Sequence, residues 1–205
     1  MEEAYKNYVV FYEDTIYTTV TADPNIVSDW ISAIMHFHRY KLYNLVVVLD
    51  VEWRPSCNSV QNPAVATIQI CIGNRCLIYQ IIYSINRFPQ SLIDFLSNDD
   101  FTFVGVDVQS DFNALKTDYE MTCNPRAVVL RMLAASALGR ADLNQTGLKT
   151  LAGLVLGKEM DTSKRVRTSN WDTRWLTDEQ VNYGCIDAFV SFKIGNVLKA
   201  YYWSY

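Results

Sequence analysis

Two acids at alternate positions, Asp50 and Glu52, close the most hydrophobic run in the chain, Leu45-Val46-Val47-Val48-Leu49. Side chains of a strand alternate between faces, so this pair projects to one side. Burying two like charges together is costly unless a cation neutralises them. An oxygen-only donor set suits a hard divalent ion such as Mg²⁺ or Mn²⁺. Taken alone the pattern is common, and a solvated strand end with two surface acids explains it better.

Tyr183 and Asp187 stand four residues apart in a helical segment, hence on one face. That segment is apolar over much of its circumference through Ile186, Phe189, Val190, Ile194 and Val197, so an aspartate there needs a partner. Asp111 follows Phe103-Val104-Gly105-Val106-Asp107-Val108, where a buried strand hands over to a helix, a place where catalytic groups collect in α/β sheets. Asp107 competes with it from the same segment.

The elements that must position these groups read as follows. Residues 8–20 alternate as a β-hairpin, and Asp23-Pro24 opens a helix to about Arg39 with Ile26, Trp30, Ile34 and Phe37 on one stripe. Strands are expected at Leu45–Val51, Ala66–Ile72 and Arg75–Ile81, the last two joined by Gly73-Asn74. A short helix from Pro89 carries Leu92, Ile93, Phe95 and Leu96, and Phe101–Val108 is a further strand. Helices are expected at about 127–138, at 146–156 and from Thr177 to about Tyr201, the last opened by a Thr177/Gln180 capping box. No repeat or Pro/Gly/Ser linker divides the chain, so residues 1–205 read as one α/β or α+β domain.

Composition narrows the class. Half of the 205 residues are apolar and 13% aromatic, which excludes general disorder. The formal charge of −4 excludes a general basic coat, and it equals the charge of Asp50, Glu52, Asp111 and Asp187, which a pair of divalent ions would offset. The cysteines, Cys57, Cys71, Cys76, Cys123 and Cys185, are odd in number and irregularly spaced, as expected of reduced thiols in the cytoplasm or nucleus. His36 and His38 share one helix and no CxxC occurs, so zinc is not expected. The acidic start, Met1-Glu2-Glu3-Ala4, has no apolar h-region, and Leu45–Leu49 is too short to span a bilayer, so neither secretion nor a membrane is expected.

Taken together, Leu49-Asp50-Val51-Glu52-Trp53 (49–53), Gly105-Val106 to Asp111 (105–111) and Tyr183 to Asp187 (183–187) resemble the three exonuclease motifs of the DEDD superfamily in its tyrosine-bearing branch. Gly147-Leu148-Lys149-Thr150-Leu151, Leu156-Gly157-Lys158, Arg167-Thr168-Ser169-Asn170-Trp171 and Leu176-Thr177-Asp178-Glu179-Gln180 are similar to the segment before the third motif in Werner-syndrome-like exonuclease domains. The match spans roughly residues 45–200. It implies a ribonuclease-H-like (DnaQ-like) fold with a mixed five-stranded sheet flanked by helices. It also implies two Mg²⁺ or Mn²⁺ ions and hydrolysis from the 3′ end to nucleoside 5′-monophosphates. Within the family the chain looks most like plant Werner-like exonucleases, including the RISC-interacting clearing exoribonucleases. That placement implies a homo-oligomeric, hexameric ring, with Argonaute or RISC components as partners. Three departures stand out: Asp107 where Gly is usual, Asn113-Ala114 where Lys is frequent, and Gly184-Cys185 in place of two alanines.

The resemblance implies two-metal chemistry, with Asp50, Glu52, Asp111 and Asp187 as ligands and Tyr183 orienting the attacking water. For substrate contacts, Lys158, Lys164, Arg165, Arg167 and Arg174 form the densest basic stretch, and Trp53 or Trp171 is placed to stack on a base. A solvated loop with a structural tryptophan explains the stretch equally well. The substrate reads as the 3′ end of a single strand, RNA favoured. The alternatives are a DNA exonuclease in repair and a catalytically silent nucleic-acid-binding scaffold.

Overall fold

The computed structural model describes residues 4–55, 63–85, 88–161 and 163–203; Cys57 and the end of the aromatic tail, Ser204-Tyr205, lie outside them. A hairpin, β1 (Ala4–Phe11) and β2 (Asp14–Thr21), leads into helix α1 (Pro24–His38). Strands β3 (Leu45–Trp53), β4 (Val65–Ile72) and β5 (Arg75–Tyr79) follow, then α2 (Gln90–Leu96), β6 (Phe101–Gly105) and α3 (Val108–Tyr119). The rest comprises β7 (Ala127–Val129), α4 (Leu130–Leu138), α5 (Leu148–Leu151), α6 (Lys164–Arg167) and α7 (Asp178–Val197).

The strands form one mixed sheet in the order β1-β2-β5-β4-β3-β6-β7. It is the expected mixed sheet flanked by helices, with seven strands among the described residues rather than five. Strand β7 falls inside the expected helix 127–138: its three residues run directly into α4, with no Gly or Pro between them to mark the change. Strands β3, β6 and β7 are parallel, as are β2 and β5, while β4 runs against both its neighbours. The β4–β5 turn uses Gly73 at φ +60°, a left-handed conformation that glycine adopts without a side-chain clash.

Alternation along β3 divides the core. Val46 and Val48 pack under α7, whereas Val47, Leu49 and Val51 pack with Val27, Ile31 and Ile34 of α1 and with Phe101, Phe103 and Phe112. Asp50 and Glu52 therefore face α7. The apolar stripe of α1 is Val27, Ile31 and Ile34. The expected stripe of Ile26, Trp30, Ile34 and Phe37 is thus displaced around the helix: of these four Ile34 alone is buried, and Phe37, on the flank of the true stripe, is 66% exposed.

Helix α7 begins with the expected capping box: the Thr177 side chain accepts from the Gln180 amide at 3.2 Å, and Gln180 Oε1 accepts from the Thr177 amide at 3.0 Å. Its sheet-facing seam is Gly184, Ala188, Ser191 and Gly195, all small. A Cβ at Gly195 would stand 3.1 Å from Val104 Cγ2 and 3.2 Å from Val46 Cγ1, so the helix backbone rests almost directly on the valines of β3 and β6. After α7 the aromatic tail folds back, and the Arg126 guanidinium donates to the carbonyls of Tyr201 and Trp203 at 3.0 and 2.8 Å. Among the described residues no helix is long and apolar enough to cross a membrane.

Candidate active site

The floor of the site is the downstream end of β3. Asp50 lies opposite Gln69 of β4 and Glu52 opposite Thr67. Gln69 and Thr67 are fully buried, and the Gln69 amide donates to Thr67 Oγ1 at 2.7 Å. The small seam lets α7 descend until Tyr183 and Asp187 reach this floor. Gly105 performs a matching task below Asp111: a Cβ there would stand 2.9 Å from the Leu49 carbonyl oxygen, so only glycine lets β6 turn into α3 this close to β3.

Electrostatic coupling shows that the five groups share one neighbourhood. Burial raises the Glu52 carboxyl to about 9, with Asp50, Asp187 and Asp111 adding to the effect and Arg167 opposing it. Burial, then Asp50, raises Asp187 to about 8, against a hydrogen bond from Tyr183 and the Arg167 charge. Asp50 and Asp111 are both raised, chiefly by burial, and Asp50 acts on Asp111. Tyr183 is raised far above the usual tyrosine range by burial and then by Asp187, Glu52 and Asp50. Three distant segments therefore crowd negative charge that the protein alone does not neutralise.

Asp50, Glu52, Tyr183 and Asp187 line a cavity of about 1330 Å³. Asp111 is 5% exposed and stands behind its lining, in the first turn of α3. Asp107 binds Arg131 of α4 at 2.8 Å, while its charge still adds to the raised pKa of Asp111. Among the described residues no three His, Cys, Asp or Glu side chains converge tightly enough to hold a metal ion as they stand. Nonetheless, Asp187 Oδ1 is enclosed and has no hydrogen-bond partner. An enclosed acceptor without a donor, amid carboxylates that burial strains, fits a divalent cation better than any side chain present.

The predicted substrate residues divide. Lys164 and Arg167, three apart on α6, share a face and line the cavity. Arg165 projects elsewhere and pairs with Glu179 at 2.7 Å, so its charge is already engaged. Lys158 is likewise paired, with Glu13 at 2.6 Å, and Arg174 lies over the Tyr83 ring. Trp53, 38% exposed, lines the cavity. Trp171 does not: it is 1% exposed, its indole N–H donates to the Arg167 carbonyl at 3.3 Å, and it packs under Tyr183. No base can stack on a ring with both faces covered. Lys149 also lines the cavity; it stands outside the basic stretch in sequence, and the signal that could have found it is its place in the Gly147–Leu151 segment that carries the resemblance.

With this geometry in place, comparison with known proteins is informative. The 3'-5' exonuclease family profile matches residues 19–201. A 3'-5' exonuclease of Arabidopsis thaliana is 33% identical over 155 residues, covering 75% of this chain and 52% of that protein. The bifunctional 3'-5' exonuclease/ATP-dependent helicase WRN of Mus musculus is 32% identical over 157 residues, 74% of this chain and 11% of that one. This chain thus spans about half the length of the Arabidopsis relative and far less of the mouse protein. Among solved structures, Escherichia coli RNase D superposes with a TM-score of 0.72 at 18% identity, over 89% of this chain and 44% of that one. The Aedes aegypti Nibbler EXO domain gives 0.69 at 18% identity, over 89% and 87% of the two chains. These two likenesses establish the ribonuclease-H-like α/β fold, and the profile match over nearly the whole chain establishes the lineage: the protein belongs to the 3'-5' exonuclease family.

Proposed function

We propose that the chain hydrolyses single-stranded nucleic acid from its 3′ end, with RNA preferred and nucleoside 5′-monophosphates released. The observation that carries this reading is the crowding of Asp50, Glu52 and Asp187 on one cavity that cations also line, with the charge of Asp111 acting on Glu52 from behind the lining. Asp50, Glu52 and Asp187 would hold one divalent ion, and Asp50 with Asp111 a second. Bound there, such ions acidify water and offset charge on the phosphoryl oxygens.

The chain's own groups supply the rest. Tyr183 keeps its proton at neutral pH, so its hydroxyl donates a hydrogen bond and orients the attacking water rather than removing its proton. Lys149, Lys164 and Arg167 line the cavity and draw the phosphodiester backbone into it. Trp53 offers a ring at the opening to the terminal base. The preference for RNA is supported by the fold shared with RNase D, described as an exoribonuclease involved in structured RNA processing.

Matched RNA and DNA oligonucleotides, digested with Mg²⁺ or Mn²⁺ beside the Asp50→Ala variant, test the proposal. Stepwise 3′ shortening by the native chain alone, faster on RNA, supports it. Equal inactivity of both proteins on every single strand refutes it. Assembly into a homo-oligomeric ring in the cytoplasm or nucleus is part of the same proposal, and a light-scattering mass equal to one 23.5 kDa chain refutes the assembly.

A further inference from the structure

Far from the carboxylates, on the opposite face of the sheet, lies a surface of different character. Strands β2, β3 and β5 all begin at one end of the sheet, and Asp50 lies five residues beyond Leu45, about 17 Å along β3. At that starting end the outer face carries Tyr8 and Tyr17, their ring centroids 5.5 Å apart. Tyr17 is in register with Arg75, whose guanidinium lies 5.6 Å from the centre of the Phe37 ring. Arg39 in turn sits over Tyr40 at 4.5 Å, and Tyr40 is 80% exposed. A tyrosine pair and two guanidinium–ring pairs thus lie between the edge strand and the end of α1.

The charge is as unusual as the rings. The chain is acidic overall, yet Trp30 to Leu49 contains no Asp or Glu. Among the described residues none of Lys6, Arg39, Lys41 and Arg75 is in an ion pair. The acids at the hairpin tip are engaged elsewhere, Glu13 by Lys158 and Asp14 by Lys193. Exposed rings interleaved with uncompensated cations match a single-stranded polyanion that carries planar bases. A symmetric contact with a second copy would instead set these cations against one another.

We propose that this surface is a second binding site for single-stranded nucleic acid, one that holds a strand upstream of the 3′ end engaged at the carboxylates. The inference rests on the site's acting on nucleic acid, but it is read by binding rather than turnover.

The test uses anisotropy of labelled oligouridylates of about 30 and about four nucleotides, with the Asp50→Asn chain to prevent cleavage. Removing both rings, Phe37→Ala with Tyr40→Ala, is expected to weaken the long strand by about tenfold or more and leave the short one unchanged. Arg39→Ala with Arg75→Ala is expected to lower the salt slope for the long strand by about 1.4. In the nuclease-competent chain the same substitutions raise KM for the long strand only. Unchanged long-strand affinity in both double variants overturns the proposal. So does conversion of an oligomer to a monomer by these substitutions, or patch-dependent sedimentation with phosphatidylserine vesicles without strand binding. A chain that cuts nothing but binds the long strand through these residues refutes the nuclease reading and leaves this site standing.

Discussion

Trp171 lies beneath Tyr183, with ring centroids 6.3 Å apart and planes inclined at 58°. The indole is the floor on which the tyrosine rests. Gly184 places the α7 backbone against its edge, where a Cβ on residue 184 would stand 3.6 Å from Trp171 Cη2. Truncating a buried tryptophan to alanine costs about 3–5 kcal/mol, so Trp171→Ala should lower Tm by well over 5 °C and reduce kcat through a displaced Tyr183. Trp171→Phe should retain most of both. Weaker substrate binding with Tm and kcat unchanged would instead make the ring a direct contact for bases.

Tyr183→Phe removes the hydroxyl and keeps the ring on its floor. The expected result is a fall in kcat of about 100-fold, with Tm and divalent-ion affinity close to those of the native chain. Turnover and isothermal titration with Mn²⁺, measured on the same preparation, check both halves of this expectation.

Stability should depend on pH in a direction opposite to that of salt-bridged acids. Glu52 and Asp187 ionise near 9 and 8 in the folded chain, above their ordinary values of 4.5 and 3.8. Because the folded state holds these protons more tightly, their contribution is complete below about pH 4 and is lost as pH rises through 8 to 9. In EDTA, Tm should therefore fall by several degrees between pH 5 and pH 9. Saturating Mg²⁺ should flatten that decline, since a ligand at 100 times its Kd adds about 2.7 kcal/mol. Asp187→Asn should shrink both effects, as differential scanning calorimetry would show.

Two glycines of α7 predict opposite outcomes. A methyl at Gly184 would meet Gln69 Cγ at 3.4 Å and Trp171 at 3.6 Å, ordinary contact distances. Gly184→Ala should gain roughly 0.5–1 kcal/mol from helix propensity. At Gly195 the same methyl meets valine carbons at 3.1 and 3.2 Å, and overpacking there should cost about 1–3 kcal/mol. Urea denaturation of the two variants distinguishes them.

The cations that line the cavity make a prediction about salt. Lys149→Ala, Lys164→Ala and Arg167→Ala should each reduce the salt slope of single-strand binding by about 0.7 for every phosphate the side chain holds. Arg165→Ala, whose partner is Glu179, should leave it unchanged. Binding isotherms across a range of KCl concentrations provide the comparison.

Much of this arrangement is legible in the residues. Asp50 and Glu52 end a buried strand, alternation alone puts them on one face, and the Thr177/Gln180 capping box marks the start of α7. These elements carry strong local signals, and that is why their positions can be read from the chain. What stays hidden depends on neighbours distant in sequence. That Arg165 spends its charge on Glu179, or Asp107 on Arg131, is a property of how helices are juxtaposed. Trp171 suits surface and interior equally by type, and the deciding factor is α7 lying across it. Ile26, Trp30 and Phe37 fit the helical period of α1, but Val27 and Ile31 fit it equally, and contact with the sheet decides which of the two adjoining stripes is buried. Strand β7 is too short to show a period of its own.

The glycine, alanine and serine seam beneath α7 has a mechanical consequence. With almost no side-chain padding between helix and sheet, Tyr183 and Asp187 are geared rigidly to Asp50 and Glu52, and the helix has little room to slide without grinding on the valines below. Because the same joint lies in the core cluster that α7 shares with β3 and β6, it should hold until the domain itself melts, so that turnover on warming is lost together with the fold and not before it.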